Sequence, residues 1–158
     1  MKKFPFLTVA LAGLVSVTVA TNGRSDKGWW DYGGGPDSSH FVPLDQIKRS
    51  NVGKLEVAWY YPHGTTGFNP IIVDDVMYAL GRNASALVAL DATTGKEIWI
   101  HDGLTGIITR GVNYWQSQDG KDRRLLFSIN GYLQAIDART GKSILSFGKD
   151  GIVDLREG

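Results

Sequence analysis

Enzyme chemistry has to be carried by a nucleophile, a metal, paired acids and bases or a bound cofactor, and each leaves its own trace in a sequence. Among 158 residues there is no cysteine, which excludes disulfides, thiolate metal sites and a cysteine nucleophile. His40, His63 and His101 have no metal-ligand spacing between any pair and fall in presumed loops, where they read as solvated. Asp31 and the pair Asp74-Asp75 flank glycine or short apolar runs, the usual setting of turn residues. Gly33 to Gly35 lack the Lys-Ser/Thr ending and the strand-to-helix context of a phosphate loop, and Asn83-Ala84-Ser85 matches a glycosylation sequon too short to carry weight. These residues therefore assign no catalytic group and no metal ligand. Seventeen basic against sixteen acidic side chains, without a block of like charge, offer no nucleic-acid footprint, and no nucleic-acid partner is expected.

The elements around them are strands. A hydrophobic content of 42% with 11% aromatic is that of a packed globular protein. Thr21 to Gly28 reads as a linker, and Trp29 to Leu44, with three consecutive glycines and two prolines, as loop. Asp45 to Val52 predicts a short helical turn with Asp45 as N-cap and Lys48 and Arg49 toward its end. KLEVAWYY then predicts a strand with Lys54 and Glu56 outward, Leu55 and Val57 inward. Short apolar runs follow at residues 69–73, 76–80, 86–90 and 97–100, and no stretch sustains a helical period.

An internal repeat organises these runs. LVALDATTGKEIW (87–99) recurs as LQAIDARTGKSIL (133–145), 46 residues on, with Leu87/Leu133, Ala89/Ala135, Asp91/Asp137, Thr94/Thr140, Gly95/Gly141 and Ile98/Ile144 in register. A period of about 40 to 50 residues carrying several short strands is the signature of β-propeller blades, each a four-stranded antiparallel sheet. The chain is thus all-β and holds the first blades of a propeller, incomplete because two blades cannot close a ring. In each copy the Asp ends the third strand and bonds turn amides, the Thr caps the turn, and the Gly supplies positive φ. Trp99 suits packing between blades, and Leu145, its counterpart, predicts a weaker contact in the second copy.

ALDATTGKEIW, and more loosely AIDARTGKSIL, resembles the tryptophan-docking motif of the pyrroloquinoline quinone (PQQ) dependent dehydrogenases, whose relatives are eight-bladed propellers. WWDYGGGPDSSHFVPLDQIKRSNVGKLEVAW is similar to that family's opening segment, TRGVNYW (109–115) to the loop in which an arginine contacts the quinone, and FGKDGIVDLREG (147–158) to the segment closing the second blade. The resemblance covers about Trp29 to Gly158. Together with the N-terminal pattern described below, it divides the chain into a signal peptide (1–20), a linker with an N-terminal loop segment (21–54), and the first two blades (55–158).

By that resemblance Arg110 is the cofactor-binding residue, since a guanidinium offers paired donors to the carboxylate and carbonyl oxygens of a tricarboxylated quinone. Asn113 and Trp115, alternating with Tyr114, read first as strand residues. Two departures stand out: GIIT (106–109) occupies the place where relatives often carry cysteines, and Gly67 the place of a Glu or Gln that reaches the cofactor. The implied activity is oxidation of an alcohol or sugar hydroxyl with PQQ and calcium, the calcium ligands and catalytic aspartate being expected downstream of this chain. A quinone or cytochrome would accept the electrons, and the opening and closing segments lean toward the glucose and membrane-associated enzymes. Alone, the segment is expected to be inactive and poorly stable. The alternative is a non-catalytic exported propeller serving as an interaction or assembly platform.

Localisation follows from the N-terminus. Lys2 and Lys3 precede an apolar core from Phe6 to Val19, shorter than the roughly 20 residues of a bilayer span, and Thr18 and Ala20 supply small residues before a polar stretch. This is the layout of a secretory signal and predicts a periplasmic or exported protein. Mass spectrometry of the exported protein is expected to find a mature start near Thr21. An intact Met1 in the membrane fraction would instead identify an uncleaved anchor.

Overall fold

The computed structural model describes residues 28–157 apart from 36, 63, 65, 66 and 109, so the N-terminal signal segment, His63 and Thr109 lie outside the described residues. Eight strands form two four-stranded antiparallel sheets, each in simple sequence order. The first comprises β1 (Ile71–Val73), β2 (Val76–Gly81), β3 (Ala86–Asp91) and β4 (Glu97–His101), the second β5 (Asn113–Gln116), β6 (Arg123–Ile129), β7 (Tyr132–Asp137) and β8 (Ile152–Asp154). Each sheet is one blade, and the two do not close a ring. Among the described residues no helix is long and apolar enough to cross a membrane.

The core is the surface between the blades. Along β6 burial alternates, with Leu125, Phe127 and Ile129 turned to blade one, where they meet Leu80, Leu87 and Ala89 in one apolar cluster. Strand β3 reads differently: Ala86 to Leu90 are all buried, the pattern of a strand covered on both faces. Blade two covers one of them. The Trp59–Tyr61 segment stands over the other, beside Met77, Ala79 and Leu90.

The repeated turns form as their residues predict. Asp91 Oδ1 accepts from the amides of Thr93 (3.0 Å) and Thr94 (2.7 Å) and from the Thr94 hydroxyl (2.8 Å), and Asp137 Oδ1 does the same for Arg139, Thr140 and the Thr140 hydroxyl at 3.0, 2.8 and 2.9 Å. Gly95 and Gly141 have φ of 70° and 69°. Trp99 then docks on the next blade: its Nε1–H donates to the Ala138 carbonyl at 3.0 Å, and its ring lies so close over Gly141 that a Cβ there would come within 2.6 Å of it. A methyl group would have to displace the indole.

Three expectations are corrected. KLEVAWYY (54–61) joins neither sheet, and Leu55 and Val57, expected inward, are 58% and 86% exposed, because no sheet edge lies against them among the described residues. Its contacts with blade one come from side chains, Trp59 and Tyr61, and not from a strand ladder. Trp59 repeats the Trp99 geometry, donating to the Ala92 carbonyl at 3.0 Å with its ring 2.6 Å from where a Gly95 Cβ would stand. The segment thus takes the place of an outer strand on the far side of blade one. Second, Asn51 rather than Asp45 holds the short turn, its Oδ1 accepting from the Lys48 amide (2.6 Å) and its Nδ2 donating to the Gln46 carbonyl (2.7 Å), and the helical residues are the 3₁₀ turn Val52–Lys54. Third, the repeat's ending diverges. Ser143 makes only an isolated bridge to Ile136, the chain folds back through Gly148 and Gly151, and β8 supplies the outer strand of blade two from residues 152–154.

Two tests address the turns. Gly141 and Gly120 both have positive φ, but a Cβ at Gly120 meets nothing within 4 Å. In the complete protein Gly141→Ala is expected to cost about 2 kcal/mol or more and Gly120→Ala about 1, read from denaturant midpoints, since only the first adds a clash to the backbone strain. The hydroxyl and amide of Thr94, with the Thr93 amide, hold the Asp91 carboxyl below the usual carboxylate range. Its contribution is therefore present above the unfolded value of about 4 and disappears as pH falls through the lower folded value. Thermal unfolding of Asp91→Asn against the parent should show a deficit at neutral pH that narrows in acid.

Candidate functional site

The loops that lead into β1 and β5, the first strand of each sheet, emerge at the same end of the two blades. Between them opens a cavity of about 490 Å3 lined by Tyr32, Gly67, Asn69, Arg110, Gly111, Val112 and Asn113. Its size suits a small-molecule site. Gly67 and Asn69 come from the loop before β1, and Arg110 to Val112 from the loop before β5, so the cavity straddles the seam between blades. The Asn69 amide Nδ2 donates to the Arg110 carbonyl at 3.4 Å, tying the two loops together. Val112 is buried in the core below, which fixes the base of the Arg110 loop.

Arg110, the cofactor-binding residue expected from sequence, thus sits in a cavity with its side chain exposed. Asn113 and Trp115 are strand residues as expected, on β5. Asn113 also lines the cavity, whereas Trp115 lies under the Arg124 guanidinium, 5.3 Å from its ring centroid. Gly67 leaves open space, since a Cβ built there meets nothing within 4 Å. In the GIIT stretch Ile107 is buried and bridges to Ile129, so this part of the loop is anchored by apolar packing.

The sequence offered no signal for Tyr32 or Asn69. They reach the site through pairings distant in the chain: Trp29 bridges to Ile72 on the free edge of β1, with mutual amide–carbonyl bonds of 3.0 and 2.8 Å, and brings the segment after it to the inner ends of the blades. Trp30 is buried edge-on against Tyr114 at 5.4 Å. Burial raises the Tyr114 hydroxyl above its ordinary value and raises that of Tyr78 further, so both stay protonated and act as hydrogen-bond donors at physiological pH. Tyr78 uses its proton across the seam, donating to the Ala138 carbonyl at 3.2 Å.

The other singled-out residues divide. Asp74 and Asp75 form the β1–β2 turn as expected, with φ of 48° and 63°, but Asp74 also pairs with Arg123 of blade two at 2.9 Å. That pair is partly exposed and worth at most about 1 kcal/mol. His101 is not solvated: it ends β4 half-buried, its Nδ1–H donating to the Gly141 carbonyl at 2.7 Å, because blade two closes over a position that reads as loop in the sequence. His40 is exposed near Trp29, and Asn83-Ala84-Ser85 lies in the β2–β3 turn. Among the described residues no group of three or more His, Asp or Glu side chains gathers as a metal site would require.

Comparison with known proteins fits this arrangement. The chain is 37% identical over 146 residues to the dehydrogenase subunit of the quinone alcohol dehydrogenase of Gluconobacter oxydans (strain 621H), covering 83% of this chain and 18% of that one. It is 30% identical over 160 residues to the quinoprotein glucose dehydrogenase of Escherichia coli (strain K12), covering 84% and 20%. The crystal structure of the quinohemoprotein alcohol dehydrogenase from Comamonas testosteroni superposes with a TM-score of 0.63 at 28% identity, covering 88% of this chain and 21% of that one. The chain therefore spans about a fifth of the length of these relatives. Residues 29–158 match the family model described as PQQ, glucose/ethanol/alcohol dehydrogenase, β-propeller domain. With two blades docked as propeller neighbours and that match running through nearly every described residue, the chain belongs to the PQQ-type glucose/ethanol/alcohol dehydrogenase β-propeller family.

Proposed function

We propose that this chain is the N-terminal, cofactor-holding part of an exported quinoprotein dehydrogenase that oxidises an alcohol or sugar hydroxyl with PQQ and calcium, and that Arg110 binds the quinone. The observation that carries this reading is the exposed Arg110 guanidinium lining a cavity at the inner ends of two blades. The donor set fits the cofactor: a guanidinium and the amides of Asn69 and Asn113 suit a ligand whose rim is carboxylate and carbonyl oxygen. Glycines at 67 and 111 keep that space free of side chains.

When bound, PQQ supplies the two-electron acceptor for hydroxyl oxidation, chemistry that side chains alone do not provide. This chain's residues bind and orient. Arg110 offers paired N–H donors to a carboxylate, Asn69 holds the Arg110 loop by its backbone carbonyl, and the buried Val112 forms part of the wall. Calcium ligands and a proton acceptor are assigned to other blades of the complete protein. A purely scaffolding propeller has no need of a cavity with an arginine at its blade seam, which favours the dehydrogenase over the platform.

In the complete protein, Arg110→Ala is expected to weaken PQQ binding in the presence of calcium by about tenfold or more, the loss of one or two charge-assisted bonds of about 1.5 to 3 kcal/mol each. Arg49→Ala, an exposed cation outside the cavity, should leave affinity unchanged. Equal affinities in the two variants would remove Arg110 from the site.

A further inference from the structure

We propose that Tyr32 is a positioning residue of the same site, its ring forming a wall against which the planar cofactor packs; this rests on the reading of the cavity as the quinone site. Tyr32 is 61% exposed although it belongs to a segment whose neighbours are anchored. Immediately before it, Trp29 is bridged to Ile72 and Trp30 is buried against Tyr114. Immediately after it, Gly33 and Gly34 turn the chain sharply with φ of 82° and 97°. The Gly34 amide donates to the Asp31 carbonyl at 3.0 Å, and the His40 amide to the Gly33 carbonyl at 2.8 Å. The Trp29 ring packs under Gly34, where a Cβ would come within 3.3 Å of it.

A tight turn pinned on both sides therefore presents one large aromatic side chain to the cavity that also holds Arg110. Leaving an aromatic ring exposed forfeits the burial that normally stabilises it, and its placement beside a guanidinium matches a ligand that is both flat and anionic. The guanidinium fixes the charged rim, and the phenol ring covers a face or edge of the ring system. Free rotation of the ligand about the arginine contact is then blocked, which is what orientation requires.

The test is titration of the cofactor-free complete protein with PQQ and calcium, followed by tryptophan fluorescence, with circular dichroism of each variant confirming its fold. Tyr32→Ala is expected to weaken binding by about tenfold and Tyr32→Phe to restore it to within about threefold, the ring rather than the hydroxyl carrying the contact. Phe41→Ala, on the same segment and also exposed but outside the cavity, should bind as the parent does. Unchanged affinity in Tyr32→Ala, or an equal loss in Phe41→Ala, would overturn the assignment. If Tyr32→Ala binds normally while Arg110→Ala does not, only the Tyr32 role falls. If the parent protein binds no PQQ, the cofactor reading falls and this one with it.

Discussion

A tryptophan seated on a glycine turn is the contact on which the rest of this structure depends. Trp99 lies over Gly141 and donates to the Ala138 carbonyl, and Trp59 lies over Gly95 and donates to the Ala92 carbonyl. Each indole removes a large apolar surface from water, and its single polar atom is satisfied by a carbonyl that the turn leaves pointing outward. The glycine is required twice over, by its left-handed φ and by the indole in the space of its Cβ. The Asp that precedes it is required because three donors of the turn converge on one of its oxygens. The repeated residues of the motif are thus two halves of one joint: Trp on one blade, Asp, Thr and Gly on its neighbour.

That joint sets where the site can be. The Trp99 contact lies near the outer rim of the sheets, and Tyr78, Leu80, Leu125 and Phe127 carry the same interface inward to β1 and β5. The angle between blades, once fixed at the rim, decides the distance between the loops at the inner ends. Asn69 and Arg110, 41 residues apart in the chain, meet there. The N-terminal segment adds a third strand of control, since Trp29 extends blade one by a single bridge and Trp30 fills the gap beside Tyr114.

What could be read in the sequence follows from how local its cause is. The turns were legible because Asp, Thr and Gly at fixed offsets satisfy one another within five residues, and the strands because apolar runs alternate or fill according to their covering. Blade identity came from the repeat. The role of KLEVAWYY was misread because alternating apolar and polar residues make a strand only where a sheet edge pairs with them, and among the described residues Lys54 to Ala58 are all exposed. The outer strand of blade two was misplaced because Ser143 to Leu145 copy Glu97 to Trp99 in sequence, whereas two glycine turns carry the chain seven residues further before it pairs. His101 was misread as solvated, and Tyr32 and Asn69 were given no site role, for one reason: each owes its environment to a backbone group or loop more than 30 residues away.

The seam location of the cavity has a thermodynamic corollary. Its lining is divided between two sheets, so neither blade alone offers the whole surface, and any ligand held there binds the docked arrangement and not the separated one. By linkage, occupancy must then strengthen blade docking to the same degree that docking strengthens binding. A ligand bound at this point would act as a rivet between the two blades as well as a reagent.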